Sequence, residues 1–386
     1  MVPNNLVIYV DSVNRARFFE GFVNYFKKYG INYKFLTNKL SVCKMLKNNV
    51  VLLKNLNTQV RNKDYSFLEK SLSVLNNYHS FEDAIQIAND VWSNLENLKI
   101  DMIWIWNGTT TIERSLKQFA IENNIKTKFF EISNIENRIF IDPKGISGES
   151  ILLKHPEILD KFNYNEEYFL KWRENYKNKK NRKTKLKNNI PSYAYLDLLG
   201  YKFFNLIRED RRNILNLVKK RFFNNFIKLP FDMVSLDKKY ILVPLQVGND
   251  SQIKLYSKFK NKDLIEYALE LARKENALLY IKPHPREEDI NEIKMIESFL
   301  KEKDVFLVDG NLYDLIESAY KIVVNNSTVG LEAKIFDKDV VVLGDAYYKY
   351  FDKERVRKFI MSYLPIIYYP GARFEEDFLE IFRRFG

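Results

Sequence analysis

The sequence predicts an α/β protein made of two doubly wound parallel sheets. Short apolar runs of strand length alternate with segments whose apolar residues recur at helical spacing, which is typical of parallel sheets covered by helices. The alternation occurs twice, over residues 6–130 and again over residues 240–343. The chain has 386 residues, which is long enough for two domains.

The first series opens with the apolar run Leu6–Val10, which we expect to form a buried strand. Ser12 then precedes a helical pattern that ends at Gly30, and these residue types are typical of a helix start and a helix end. The further predicted strands are Asn32–Leu36, Val50–Leu53, Met102–Trp106 and Lys126–Phe130. The further predicted helices are two within Tyr65–Leu98, broken near residues 76–80, and one at Ile112–Asn124.

Residues 160–228 differ in character and are predicted to form a basic helical insertion. Lys177–Lys187 is densely basic without an apolar period, which favours a solvated loop; the alternative is a surface contact for acidic lipid head groups. Tyr193–Ile227 has an amphipathic helical pattern with many basic and aromatic residues, and it either covers the sheet or touches a membrane surface. A basic aromatic stretch also suits nucleic acid. However, no helix-turn-helix, zinc-finger or RNA-binding motif accompanies it, which argues against nucleic-acid binding.

The second series begins at Tyr240, after a predicted connection at Pro230–Lys239. Its predicted strands are Tyr240–Val247, Leu278–Lys282, Val305–Val308, Lys321–Val324 and Val340–Leu343. Its predicted helices are Lys262–Lys274, Glu287–Lys301, Leu312–Ala319 and Thr328–Phe336. Two Rossmann-type domains of this kind, facing each other across a cleft, form the GT-B layout.

This pattern predicts three segments. The first domain spans residues 1–230 and the second spans residues 231–365. Residues 366–386 follow, and their predicted helix Phe374–Phe385 is expected to pack back on the first domain.

The composition restricts the classes of partner and of site. The formal net charge is +12, which suits an anionic partner such as a nucleotide, a nucleic acid or an acidic lipid surface. Cys43 is the single cysteine, which excludes an internal disulfide and cysteine-based zinc sites. The sequence has only three histidines, which argues against a histidine-rich metal site.

The sequence also predicts where the protein resides. No apolar run approaches the length of a membrane span, and Leu6–Val10 is too short for the apolar core of a signal peptide. We therefore expect a cytoplasmic protein. Any membrane contact is expected to be peripheral, on the inner face of the cytoplasmic membrane.

Three predicted strand ends of the second domain carry polar groups that suit an anion. Asp250 lies in a turn beyond one strand, and His284 lies between two prolines beside Lys282 at the end of the next. The third end, Asn326–Thr328, has helix N-cap residue types after a strand, where free backbone N–H groups favour a phosphate; an ordinary capped helix is the alternative. On one sheet edge the three would form an anion clamp.

These segments carry a family resemblance over roughly residues 240–350. Pro244-Leu245-Gln246 with Asn249-Asp250-Ser251-Gln252, then Lys282-Pro283-His284-Pro285, then Asn326-Ser327-Thr328-Val329-Gly330-Leu331-Glu332-Ala333 resemble the motifs of the capsule polysaccharide synthesis family. That family includes the bacterial retaining β-Kdo transferases, which use CMP-Kdo. Phe130-Glu131 with Asp142-Pro143-Lys144-Gly145 is a fainter match. The length resembles the single-domain member that starts the Kdo linker on a lysophospholipid.

The resemblance implies a retaining transfer of β-Kdo from CMP-Kdo to a lipid or saccharide acceptor. It implies Asp250 as the nucleophile, Glu131 as the general base for the acceptor hydroxyl, and His284 as a catalytic partner of the leaving phosphate. The implied donor-binding set is Gln246, Ser251, Gln252, Lys282, Pro283, Asn326, Ser327, Thr328 and Glu332. No cofactor and no metal ion are expected, because the leaving group is a monophosphate in a basic cleft.

One segment departs from the family pattern and leaves the acceptor open. Relatives that start the linker carry a Glu-Gly-Tyr-Leu-Arg-Pro type of stretch, where this chain has Glu131-Ile132-Ser133-Asn134-Ile135-Glu136. Two alternative donors are another CMP-activated ulosonic acid and a nucleotide-diphosphate sugar. An alternative of another class is a non-catalytic binding protein of surface-polysaccharide assembly.

Overall fold

The computed structural model describes residues 2–180, 194–209, 231–373 and 378–379. The chain divides into two compact units. The first unit comprises Met1–Ile146, Leu186–Arg212 and Leu364–Gly386, and the second comprises Ser147–Lys185 and Asn213–Tyr363.

Each unit contains one sheet, and we number the strands and helices in chain order. The strands are β1 Asn5–Tyr9, β2 Asn32–Thr37, β3 Val50–Leu52, β4 Met102–Trp106, β5 Lys126–Ile132, β6 Ile139–Asp142, β7 Tyr240–Pro244, β8 Leu278–Lys282, β9 Val305–Leu307, β10 Lys321–Val324 and β11 Val340–Val342. The helices are α1 Val13–Glu20, α2 Val23–Lys28, α3 Leu40–Leu46, α4 Leu72–Leu75, α5 Phe81–Leu95, α6 Thr111–Glu122, α7 Ile151–Lys154, α8 Glu166–Lys180, α9 Ala194–Phe203, α10 Ser251–Tyr256, α11 Asn261–Glu275, α12 Ile290–Phe299, α13 Leu312–Ser318, α14 Thr328–Ile335 and α15 Lys353–Lys358.

The sheet of the first unit has the strand order β3-β2-β1-β4-β5-β6. Strands β1 to β5 pair in parallel, and β6 pairs antiparallel with β5. The chain builds outward from β1 in one direction through β2 and β3, and then in the other through β4. The strand order therefore reverses between β1 and β4, which is the topological switch point of a doubly wound sheet.

Aromatic side chains form much of the core of the first unit. Phe19 and Phe22 of α1 and the following turn pack on Trp104 of β4, with ring centroids 6.0 and 5.3 Å apart. Phe378 packs on Phe22 with ring centroids 6.0 Å apart. The rest of the predicted helix Phe374–Phe385, apart from residues 378–379, lies outside the described residues.

The sheet of the second unit is parallel throughout, with the strand order β11-β10-β7-β8-β9. The central strand β7 is buried along its whole length, and β8 and β10 are apolar except for one terminal lysine each, as is typical of a parallel sheet with helices on both faces. Ile241, Val243, Ile281 and Val323 are completely buried in one cluster with the apolar face of α11. The predicted α/β class with parallel, doubly wound sheets is confirmed for both units.

The structure differs from the sequence prediction at two places near the expected site. We predicted no strand after Lys126–Phe130 in the first domain, but Ile139–Asp142 forms β6, which pairs antiparallel with β5. Strand β5 consequently extends to Ile132, so Glu131 lies inside a strand and not past its end. The short helix α10 was not predicted, because six residues carry too little apolar period.

Residues 147–180 pack in the second unit, whereas the sequence places them in the first domain. The reason is a set of contacts that no local pattern contains. Tyr176 of α8 donates a hydrogen bond to Glu332, and Arg173 pairs with Asp337 at 3.1 Å. Within the basic run, Lys177 pairs with Glu317 at 2.6 Å, while residues 181–187 lie outside the described residues.

Within the described ranges, no helix has the length and apolar character that crossing a membrane requires.

Candidate functional site

The three predicted segments of the second unit meet at the carboxyl edge of its sheet. Strand β7 lies between β8 and β10, with Pro244 beside Lys282 and Leu242 beside Ile322. The loops that leave these three strands therefore lie on one rim. The structure brings together the loop after β7, the loop after β8 and the start of α14.

Two buried amides join the first and third of these loops. Asn326 donates from its backbone N–H to Oε1 of Gln246 at 3.4 Å, and from Nδ2 to the carbonyl of Gln252 at 2.8 Å. Gln246 and Asn326 are each 6% exposed. Asn261 Nδ2 donates to the carbonyl of Gln246 at 2.8 Å. This network fixes the loop after β7 on the start of α14.

Asp250 is half-buried and forms the N-cap of α10. Its Oδ1 accepts a hydrogen bond from the backbone N–H of Gln252 at 2.8 Å, and Ser251 is the first residue of the helix. The cap holds the carboxylate at a helix N-terminus, where a negative charge is stabilised. Asp250 therefore has a structural role beside any chemical one.

His284 is half-buried, and its ring orientation is set by the loop that it belongs to. Its Nδ1 accepts a hydrogen bond from the backbone N–H of Arg286 at 3.1 Å, which assigns the proton of the neutral ring to Nε2. Burial and the charge of Arg286 lower the pKa of His284, while Asp250 and Glu287 oppose this shift. The ring is therefore a neutral N–H donor at pH 7, electrostatically coupled to Asp250.

Lys282 supplies a positive charge at the end of β8. Its Nζ lies 3.3 Å from Oδ1 of Asp309, and the lysine side chain is 15% exposed against 68% for Asp309. An exposed aspartate contributes little to such a pair and can be displaced by a stronger anion. The buried Pro283 follows directly and fixes the direction in which the chain leaves the strand.

The start of α14 is capped by Ser327, whose Oγ accepts a hydrogen bond from the backbone N–H of Val329 at 3.2 Å. Thr328 is exposed at the first helical position. The hydroxyl of Tyr348 donates to the carbonyl of Ser327. A Cβ atom on Gly330 would lie 2.6 Å from that hydroxyl, so this approach requires glycine.

Glu332, one turn further along α14, is directed into protein contacts. It is 5% exposed, and the hydroxyl of Tyr176 donates to its Oε1 at 2.8 Å. Burial and Glu332 both raise the pKa values of Tyr176 and Tyr313, which keeps both hydroxyls protonated. This gives Glu332 a packing role within the second unit. The sequence contains no signal for the pair, because the two residues are far apart along the chain.

Glu131 belongs to the first unit, on β5 opposite Phe140 of β6. Burial raises the pKa of Glu131 to about 7, and the charge of Arg15 opposes the shift. A carboxyl group with this pKa is suited to accept a proton near neutral pH.

Four charged residues that the sequence reasoning missed lie in the first unit: Asp11, Arg15, Glu113 and Glu209, here called the switch-point cluster. Arg15 pairs with Asp11 at 2.5 Å and lies 4.0 Å from Glu113. Burial raises the pKa values of Glu113 and Glu209 to about 7. Asp11, directly after β1, was the available sequence signal, because ligand-facing groups follow such strands.

In the described ranges, no group of three or more His, Cys, Asp or Glu side chains is placed to hold a metal ion. The expectation that the reaction needs no metal stays a prediction.

Residues 102–351 match the family described as "Capsule polysaccharide biosynthesis protein". The chain belongs to this family. The match covers more than half of the chain and includes the loop after β7, the loop after β8 and the start of α14. The resemblance of the sequence motifs to the capsule polysaccharide synthesis family is thereby confirmed.

Two curated relatives match a shorter part of this chain than the family does. The capsule polysaccharide export protein KpsS of Escherichia coli is 32% identical over 130 residues, which is 31% of this chain and 33% of KpsS. Protein FixF of Sinorhizobium fredii is 34% identical over 131 residues, which is 32% of this chain and 31% of FixF. The chain thus matches about a third of the length of each relative.

Two solved structures are similar over most of the chain. The β-Kdo 2,7 transferase of KpsC from Thermosulfurimonas dismutans matches with a TM-score of 0.46 and 17% identity, covering 94% of this chain and 92% of that one. The β-Kdo 2,4 transferase of the same KpsC matches with a TM-score of 0.37 and 14% identity, covering 83% and 88%.

Proposed function

We propose that this protein is a retaining glycosyltransferase that moves β-Kdo from CMP-Kdo to a lipid or saccharide acceptor in the synthesis of capsule or surface polysaccharide. The observation that carries the proposal is the convergence of Asp250, His284 and the start of α14 on one rim of the second sheet. The membership of the capsule polysaccharide biosynthesis family supports the choice of substrate class.

The donor phosphate is held by one neutral hydrogen-bond donor and two positive groups. The Nε2–H of His284 donates a hydrogen bond to a phosphate oxygen. Lys282 pairs with the phosphate in place of the exposed Asp309. The N-terminus of α14 adds its partial positive charge. All three stabilise the negative charge that CMP gains as it leaves.

Asp250 is the nucleophile of the first displacement. Its carboxylate forms a bond to the anomeric carbon of Kdo while the bond from that carbon to the phosphate oxygen breaks, and CMP departs with the electron pair. The acceptor hydroxyl then attacks the same carbon and releases Asp250. Glu131 takes the hydroxyl proton, and two inversions give net retention.

The remaining residues of the donor-binding set position the nucleotide. Gln246, Gln252 and Asn326 form one hydrogen-bonded frame, which reduces the ordering cost of binding. Ser251, Pro283, Ser327 and Thr328 shape the same rim. The reaction takes place at the cytoplasmic membrane face, with any lipid contact peripheral.

A nucleotide panel tests this proposal directly. Thermal unfolding of the full chain is measured with CMP, UDP and GDP, and we expect CMP to raise the transition temperature the most. The same titration of His284→Ala should show a smaller shift. A preference for UDP or GDP would replace CMP-Kdo by a nucleotide-diphosphate sugar, and no shift with any nucleotide would favour a non-catalytic binding protein.

A further inference from the structure

The switch-point cluster occupies the position in the first unit where doubly wound sheets bind ligands. Asp11 follows β1, and Glu113 lies in the first turn of the helix that follows β4. These two strands are neighbours, and the strand order reverses between them. The carboxyl ends of strands leave a crevice at such a reversal.

The backbone donors that would hold a phosphate in this crevice are already occupied. The N–H groups of Thr109 and Thr110 donate to Oε2 of Glu113 at 2.8 and 3.1 Å. The N–H of Ile112 donates to Oε1 of Glu209 at 3.0 Å. Two carboxyl groups thus occupy the backbone donors that an anionic ligand would need at the start of α6.

Two other carboxyl oxygens of the cluster are buried acceptors that lack a hydrogen-bond donor among the described residues. Glu113 is 1% exposed, and among the described residues its Oε1 has no hydrogen-bond donor, with Arg15 at 4.0 Å. The Oδ1 atom of Asp11 is likewise buried without a donor from the described part of the chain. A buried acceptor without a donor is unfavourable, so it marks a place where a ligand can bring a donor.

Arg15 connects this crevice to the proposed general base. Its guanidinium lies over the ring of Trp106, 5.0 Å from the centroid, and pairs with Asp11. The same charge opposes the raised pKa values of Glu113 and Glu131. The crevice therefore adjoins the carboxyl group to which we assign the deprotonation of the acceptor.

We propose that this crevice binds hydroxyl groups of a neutral sugar unit of the acceptor, with Asp11 and Glu113 accepting hydrogen bonds from those hydroxyls. Arg15 is a positioning residue that holds Asp11 and donates to a hydroxyl oxygen. The crevice rejects phosphorylated sugars, because Glu113 and Glu209 fill the anion position. This inference rests on the proposed function, since it specifies the acceptor.

Saturation-transfer NMR on the full chain tests the assignment with methyl hexopyranosides as the neutral probes. The same sugars as 6-phosphates and as 2-amino derivatives are the comparison probes. We expect saturation of the neutral probes, and at least a fivefold smaller effect in Asp11→Asn and Glu113→Gln. Glu122→Gln is the matched control, because it changes the same residue type at the other end of α6 and should leave the effect unchanged.

Unchanged saturation in both cluster variants, or stronger saturation of the phosphorylated or amino sugars, would overturn the proposal. Glu113 also caps α6, so Glu113→Gln can lose stability. Asp11→Asn leaves that cap intact and then decides alone. CMP is titrated into the same samples to test the proposed function separately. If the wild-type chain does not bind CMP, the proposed function is contradicted, whereas the result with the sugars is unaffected.

Discussion

The Nδ1 atom of His284 accepts a hydrogen bond from the backbone N–H of Arg286 at 3.1 Å. This contact fixes the ring and leaves its Nε2–H as the donor that a phosphate oxygen requires. We therefore expect His284→Ala to weaken CMP binding about 10- to 100-fold, the usual effect of losing a hydrogen bond to a charged group. Isothermal calorimetry measures it.

His155 provides the matched control, because it is an exposed histidine of the same unit that pairs with Glu157. His155→Ala should bind CMP as the wild-type chain does. Equal affinities of the His284 variant and the wild-type chain would remove His284 from the phosphate site.

Asp250 has two roles that different substitutions separate. Asp250→Ala removes both the nucleophile and the cap of α10, whereas Asp250→Asn keeps a good N-cap and removes only the nucleophilic carboxylate. We expect both variants to lose transfer by at least about 1,000-fold. Only Asp250→Ala should also lose about 1 kcal/mol of unfolding free energy. Measurable turnover by Asp250→Asn would assign the nucleophile elsewhere.

Glu131 should impose a pH dependence on transfer. Its pKa is raised to about 7, and a general base acts only when deprotonated. We expect kcat/KM to rise as the pH increases from 6 to 8, with a midpoint near 7 and little further gain above it. In Glu131→Gln the rate should fall and this rise should vanish. A rise of the same shape in the variant would show that another group titrates.

Tyr176→Phe tests the buried contact that joins α8 to α14. The change removes the hydroxyl that donates to Glu332 at 2.8 Å and leaves a buried carboxylate oxygen without that donor. We expect a loss of about 1 to 3 kcal/mol in unfolding free energy, measured by urea denaturation. Tyr168→Phe, on the exposed part of the same helix, should be neutral. Equal stability of the two variants would contradict the packing role of Glu332.

Among the described residues, every strand except β6 was predicted, chiefly from short apolar runs between turn residues. Met102–Trp106 and Lys321–Val324 have the predicted bounds in the structure. Strand β6 escaped prediction because its pairing partner is what makes Ile139–Asp142 a strand. Pairing depends on tertiary contact, and no period within four residues reveals it.

The site of the second unit was predictable as a set of loops, since parallel strand ends share an edge. The roles within it were not. Nothing in the sequence shows that Asp250 caps a helix or that Glu332 is held by a tyrosine from α8. The switch-point cluster was missed because its carboxyl groups come from three separate segments that only the fold assembles.

The most direct test of the central claim is intact-mass analysis of Glu131→Gln after incubation with CMP-Kdo. This variant lacks the proposed base, so the Kdo–enzyme adduct should accumulate, and peptide mapping should place it on Asp250. The account predicts a mass gain of one Kdo residue in Glu131→Gln and none in Asp250→Asn. Transfer by the wild-type chain, without any adduct in Glu131→Gln, would contradict the double displacement through Asp250.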